Sequence, residues 1–145
     1  LRCEPNKFRA RRPDLKDQIP YTRNPAKGFS TTASETGKFA FAHAFELDPV
    51  TAIKSTSFGS YQVMGWALLR SYGNQAQKAW DGFRNNPAEA SDLMLIEWMK
   101  DNPRAIRAAN SSPPNFAALA KIYNGPNYRV NQYDTRMYNF WRNNS

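Results

Sequence analysis

The sequence is poor in the residues that form disulfides and metal sites. Its 145 residues include one cysteine and one histidine, Cys3 and His43. One cysteine cannot form a disulfide within the chain, and a zinc site built from cysteines is excluded. His43 lies in the apolar segment "FAFAHAFEL" without a second histidine, which favours a packing or surface role over a catalytic one.

Long apolar runs are also missing. No uninterrupted stretch reaches the length that spans a bilayer, and no secretory signal with a basic start and an apolar middle is visible. Hydrophobic residues make up 41% and aromatic residues 14% of the chain, which is enough to build the core of one domain of this length. The opening "LRCEPNKF" is typical of the end of a strand, so we expect this chain to be a fragment of a longer domain.

Negative charge is scarce relative to positive charge. The chain has 20 Lys and Arg residues against 12 Asp and Glu residues, a net charge of +8, and a pI near 9.8. This excess implies an anionic partner such as nucleic acid, a membrane surface or bacterial cell wall. Apart from "FRARR" at Phe8 to Arg12, the cations are spread along the chain, so charge alone does not choose among these partners.

Helical patterns dominate from residue 34 onward. Ser34, Asn86 and Asn115 are predicted N-caps, and Pro87 with Glu89 strengthens the second of these starts. We predict an all-α fold, or α with a minor N-terminal β element. Residues 1–145 form a single domain in this interpretation, with an irregular or strand-end segment over 1–33, including a helical turn near Asp14, and a helical core over 34–145.

Two stretches have polar and aromatic residues whose arrangement suggests more than core packing. In "STSFGSYQVMG", Ser55 to Gly65, the amide of Gln62 is either a satisfied core amide or a ligand-binding group in a cleft. In "KIYNGPNY", Lys121 to Tyr128, the ordinary explanation is structural: Asn-Gly-Pro favours a turn, and the aromatics fill a core. Two polar and aromatic turns in one helical domain also suit a sugar site, because pyranose rings present an apolar face to aromatics and hydroxyls to amides.

Three segments resemble the phage-type N-acetylmuramidase family. "STSFGSYQVMG" is similar to its glycine-containing motif, and "YNGPNY" followed by "YDTRM" is similar to its second motif. "CEPNKF" resembles its Phe-Glu-Pro-His-x-Phe segment, with Cys3 in place of Phe and Asn6 in place of His. The resemblance spans nearly the whole chain and implies a lysozyme-like multi-helix fold.

The resemblance also implies a function. The family belongs to the lysozyme-like peptidoglycan hydrolases, which points to cleavage of the β-1,4 bond between N-acetylmuramic acid and N-acetylglucosamine, without metal or cofactor. The expected partner is bacterial peptidoglycan, and the expected place of action is a phage particle or the host envelope or periplasm. Ser57 and Gln62 are implied to bind the glycan from one wall of a cleft, with Tyr123, Asn124 and Tyr128 on the opposite wall.

A catalytic acid of the expected kind is missing. The resemblance implies a general acid upstream, in a Glu-Ser-Gly-Gly-like motif that this chain begins too late to contain. A preceding or partner segment supplies that acid, or the chain only binds glycan, or Glu4 acts as the catalytic acid. Glu4 has an equally good structural explanation, as a carboxylate paired with an arginine or a backbone amide. Glu46 and Asp48 are weaker candidates at a helix end.

Two other function classes remain open from the residues. One is a glycan-binding or structural phage module that lacks catalysis or needs an upstream partner for it. The other is a basic helical domain that binds nucleic acid, which would account for the charge and for "FRARR". The two polar and aromatic turns favour the glycan over nucleic acid, so we expect no nucleic-acid partner.

Overall fold

The computed structural model describes residues 1–19, 35–124, 134–135 and 138–139. Most of them lie in short helices, and a small sheet lies near the N-terminus, which confirms the predicted fold class. The elements are β1 (Arg2–Cys3), α1 (Pro5–Arg11), a 3₁₀ helix (Pro13–Gln18), α2 (Glu35–Leu47), α3 (Pro49–Lys54), β2 (Thr56–Phe58), β3 (Val63–Met64), α4 (Gly65–Ser71), α5 (Ala76–Asn85), α6 (Pro87–Lys100), α7 (Pro103–Asn110) and α8 (Phe116–Asn124).

The first segment is more regular than its sequence indicates. Helix α1 occupies residues expected to be irregular. Pro5 suits a first helical position, because its missing N–H needs no partner there, and the amides of Lys7 and Phe8 donate to the Glu4 carbonyl. The burial of Phe8 then holds α1 against the rest of the chain. The predicted turn near Asp14 is the 3₁₀ helix.

Two of the predicted helix starts are confirmed by their side-chain hydrogen bonds. The Glu89 amide donates to Asn86 Oδ1 at 3.2 Å, and Asn86 Nδ2 donates back to Glu89 Oε2 at 3.1 Å. The Ala118 amide donates to Asn115 Oδ1 at 3.0 Å. Such caps satisfy amides that have no partner within the helix. The third predicted cap, Ser34, lies outside the described residues.

The sheet is antiparallel, with strand order β1, β2, β3. Its paired positions are Arg2 with Ser57, Cys3 with Thr56, Ser57 with Met64, and Phe58 with Val63. Side chains of directly paired residues share a face of a sheet. One face therefore carries Cys3, Thr56, Phe58 and Val63, all of them buried.

The core beneath this sheet is aromatic. Phe41 of α2 makes an edge contact with Phe58 of β2, with ring centroids 5.6 Å apart, and lies 4.8 Å from the Trp80 ring of α5. Phe83 of α5 contacts Phe58 from another side at 5.0 Å. These rings join the sheet to α2 and α5. On the sheet's other face Arg2 is exposed, Met64 is partly exposed, and Ser57 is buried, at 7% relative exposure.

The described residues fall into two compact units that divide between Trp98 and Met99. The first contains the sheet, α1 to α5 and most of α6. The second contains α7 and α8, whose packing against each other buries Ala105 and Ala120. Within the described parts of the chain, every helix is too short or too polar to cross a membrane.

Candidate functional site

The outward face of the sheet gathers the polar residues of the first motif. Ser57 lies at the centre of this face, between Arg2 of β1 and Met64 of β3. Gln62 reaches the same place from the turn before β3, because the Ser57 hydroxyl donates to Gln62 Oε1 at 2.9 Å. The two residues of the first motif that the resemblance implies to bind glycan are therefore in direct contact.

Gln62 is exposed, so its interpretation as a core amide is wrong. Its backbone has φ of 51°, a left-handed conformation that is uncommon for a residue other than glycine. Its Nε2 donates to the Gly59 carbonyl at 2.9 Å, so both ends of the amide are fixed by the turn. Each end keeps further hydrogen-bonding capacity for a ligand. Strained and fixed polar groups of this kind are common at binding sites.

A serine of α6 holds the turn that carries Gln62. The Ser60 amide donates to Ser91 Oγ at 3.3 Å, and Ser91 Oγ donates to the Pro87 carbonyl at 2.6 Å. Gly59 has φ of 74°, and a Cβ there would lie 2.0 Å from Ser91 Oγ. The close approach of the turn to α6 therefore requires glycine at position 59.

Tyr61, beside Gln62, presents an aromatic ring to solvent. Its relative exposure is 40%, and its hydroxyl donates to Asp92 Oδ1 of α6 at 3.3 Å. Partial burial, the nearby Asp92 charge and this hydrogen bond raise the pKa of Tyr61, so the hydroxyl stays protonated at neutral pH. We did not single out either residue from the sequence. The aromatic beside Gln62 was a usable signal for Tyr61, but no local pattern signals Asp92.

Glu4 lies at the end of β1, next to this face. Its amide donates to the Ser55 carbonyl at 2.9 Å, and its Oε2 pairs with Lys7 Nζ at 2.8 Å. Lys7 Nζ also lies 3.9 Å from the sulfur of Met64, the residue paired with Ser57. Lys7 therefore connects Glu4 to the face that carries Ser57 and Gln62. Its ammonium is the partner of the carboxylate, in place of the arginine or backbone amide of the structural alternative.

The residues of the second motif lie in the other unit. Tyr123 and Asn124 form the last positions of α8, and Tyr123 is half-buried. Tyr128 lies outside the described residues. The grouping of these three residues with Gln62 therefore stays a prediction.

Asp48 has a structural role. It is the N-cap of α3, accepting from the Thr51 amide at 3.0 Å and from the Thr51 hydroxyl at 2.7 Å, and it also pairs with Arg12. Burial alone would raise the pKa of Asp48, but the hydrogen bonds from Thr51 and Arg12 outweigh it and lower that pKa. Asp48 is thus held ionised by neighbours that leave it little capacity for substrate.

Glu46 lies at a different concavity of the first unit. This cavity has a volume of about 600 Å³ and a mainly apolar wall with four aromatic rings. Its lining residues are Leu1, Lys38, Phe41, Ala42, Phe45, Glu46, Trp80 and Phe83. It is distinct in chemistry from the polar face of the sheet, and neither Ser57 nor Gln62 is among its described lining residues.

Comparison with known protein families gives a match over nearly the whole chain. The sequence model of the family described as Muramidase, N-acetylmuramidase, matches residues 3–144. No curated protein matches the chain. No solved structure matches it either.

Proposed function

Because the chain belongs to the N-acetylmuramidase family, we propose that it cleaves the β-1,4 bond between N-acetylmuramic acid and N-acetylglucosamine in bacterial peptidoglycan. The observation that carries this proposal is the Ser57 and Gln62 pair on the outward face of the sheet. The place of action follows from the substrate and lies outside the cytoplasm. A phage particle or the host envelope or periplasm is its proposed location.

The turn at Gly59 to Gln62 provides the two kinds of contact that a sugar needs. The exposed ring of Tyr61 offers an apolar surface to the face of a pyranose. The Gln62 amide, oriented by Ser57 and Gly59, offers a donor and an acceptor to acetamido or hydroxyl groups. Because both side chains are already oriented, binding costs little further conformational entropy.

Glu4 is the proposed general acid within this chain. A general acid must donate a proton to the glycosidic oxygen as the bond to the anomeric carbon breaks, and water then adds to that carbon. In the structure Glu4 accepts from Lys7 instead. Catalysis by Glu4 therefore requires its carboxyl group to carry a proton and Lys7 to turn away when the glycan binds.

Release of soluble fragments from purified peptidoglycan tests this proposal. The parent chain, Glu4→Gln and the control Glu46→Gln are incubated with peptidoglycan, and the new reducing sugars are identified by mass. We expect reducing N-acetylmuramic acid from the parent and the control, and at least a hundredfold less from Glu4→Gln, because an amide cannot replace the acid. Equal activity of all three would exclude Glu4.

A second candidate is a glycan-binding module that needs an upstream or partner segment for catalysis. The Glu4 and Lys7 ion pair favours it, because the carboxylate is already occupied in the structure. In this case the parent chain sediments with peptidoglycan but releases no fragments. Restoration of hydrolysis by a longer chain that includes the upstream sequence would then locate the acid outside these 145 residues.

A further inference from the structure

The second unit contains a pocket that the proposed function does not use. It has a volume of about 470 Å³ and lies between the first turns of α7 and the end of α8. Its described lining residues are Asp101, Asn102, Pro103, Arg104, Arg107 and Ile122. Two guanidinium groups against one carboxylate give this lining a net positive charge.

Both arginines are exposed and available. They lie three positions apart on α7, a spacing that places side chains on one helix face, while Ala105 and Ala108 are buried beneath the helix. Among the residues that the structure describes, no carboxylate or carbonyl oxygen accepts a hydrogen bond from either guanidinium. Each guanidinium presents two parallel N–H donors that match the geometry of a carboxylate.

The position of Arg104 is unfavourable for the isolated helix. It lies in the first turn of α7, where the helix dipole is positive and a cation is destabilising. The first turn of this helix contains no acidic residue that would offset the charge. An anion bound in the pocket would interact favourably with the dipole and with both arginines.

The pocket is next to the second motif in sequence and in structure. Ile122, which lines it, directly precedes Tyr123 and Asn124 on α8. Every N-acetylmuramic acid unit of peptidoglycan can carry a peptide with free carboxylates. We propose that Arg104 and Arg107 bind a carboxylate of this peptide stem. The inference rests on the proposed function, because it takes peptidoglycan as the ligand.

The test compares soluble ligands that differ only in their carboxylates. The affinity of the parent chain is measured for a disaccharide-peptide fragment with free carboxylates, and for the same fragment with those groups converted to amides. The variants are Arg104→Gln with Arg107→Gln, and Lys54→Gln as a control that removes an exposed cation from the first unit. Thermal unfolding of each variant verifies that it is folded.

We expect the parent chain and Lys54→Gln to bind the free-carboxylate fragment about tenfold more tightly than the amidated one. In the double variant this ratio falls to about one, while its affinity for the amidated fragment stays unchanged. An unchanged ratio in the double variant would overturn the inference. Tighter binding of a short DNA duplex than of the fragment, lost in the double variant, would also overturn it in favour of a phosphate site.

A short acetylated peptide with a free C-terminus separates this inference from the proposed function. Its binding is followed by the NMR signals of the arginine side chains. In one outcome, the peptide shifts two arginine signals in the parent chain but not in the double variant, and peptide-free glycan does not bind. This outcome would support the pocket and reject the glycan site. Binding of peptide-free glycan without any response to the peptide would support the glycan site and reject the pocket.

Discussion

At the residue scale, two glycines with a similar backbone have different surroundings. Gly59 and Gly73 both have positive φ, 74° and 66°. A Cβ at position 59 would lie 2.0 Å from Ser91 Oγ, whereas at position 73 the nearest atom is 4.0 Å away. Comparing alanine substitutions at the two positions therefore separates the free-energy cost of backbone strain from that of a steric clash.

We predict that Gly59→Ala destabilises the protein more than Gly73→Ala does. The second substitution costs about 1 kcal/mol of unfolding free energy through strain alone. Gly59→Ala must also displace Ser91, so its total cost in unfolding free energy is about 2–4 kcal/mol. Urea unfolding of both variants measures the difference, and equal losses would mean that the turn moves away from α6 without cost.

Tyr61 allows a separate test of the glycan surface. We predict that Tyr61→Ala weakens binding to peptidoglycan about tenfold, because it removes the aromatic surface. Tyr61→Phe should change it less than about threefold, since the ring stays and only the hydrogen bond to Asp92 is lost. Tyr138→Ala is the control, because Tyr138 is similarly exposed, at 42%. An equal loss in the control would contradict a specific role for Tyr61.

At the element scale, Arg12 connects the end of α1 to the start of α3. It bonds Asp14 through two nitrogens, at 3.0 and 2.7 Å, and also pairs with Asp48. The same Asp48 side chain caps α3 through Thr51. One carboxylate therefore fixes both the start of a helix and its connection to a neighbouring element.

We predict a pH-dependent contribution of Asp48 to stability. Its folded pKa lies below the ordinary value, so the contribution is present above the unfolded pKa of about 3.9 and is lost as pH falls through the folded value. Asp48→Asn should cost about 1 kcal/mol at pH 7 and almost nothing near pH 2.

Denaturant unfolding of both proteins between pH 2 and pH 7 measures this difference. Asp81→Asn is the control, because the Asp81 pair with Arg84 is exposed. Exposed pairs contribute little, so its effect should be small throughout. A loss for Asp48→Asn that is equal at pH 2 and pH 7 would contradict the prediction.

The sequence predicts local elements better than distant contacts. The Asn86 and Glu89 cap depends on a pattern of four consecutive residues, and the structure confirms it. The contact of Tyr61 with Asp92 joins a turn to a helix 31 positions away, and no local pattern encodes it. The sequence left open whether Gln62 is a core amide or a ligand-binding group, because its apolar neighbours do not reveal that the turn exposes it.

At the scale of the whole molecule, the net charge of +8 suits an anionic partner, of which the bacterial envelope is the one we propose. We predict that affinity for intact peptidoglycan falls several-fold between about 0.05 and 0.3 M NaCl, as the screening length becomes shorter. Affinity for a neutral chitin oligosaccharide should stay constant over the same range. Sedimentation and titration measure the two, and a salt-independent affinity for peptidoglycan would contradict the prediction.

The pairing of β1 with β2 has a consequence for the order of folding. Arg2 and Ser57 are far apart in sequence, and closing so long a loop costs chain entropy before the strands gain any contact. The helices between them need only local contacts, which generally form faster. Ser57 and Gln62 are neighbours in sequence, but Glu4 joins them only when this loop closes. We therefore expect a newly made chain to acquire its helices first, and its candidate acid to reach the proposed glycan surface among the last events of folding.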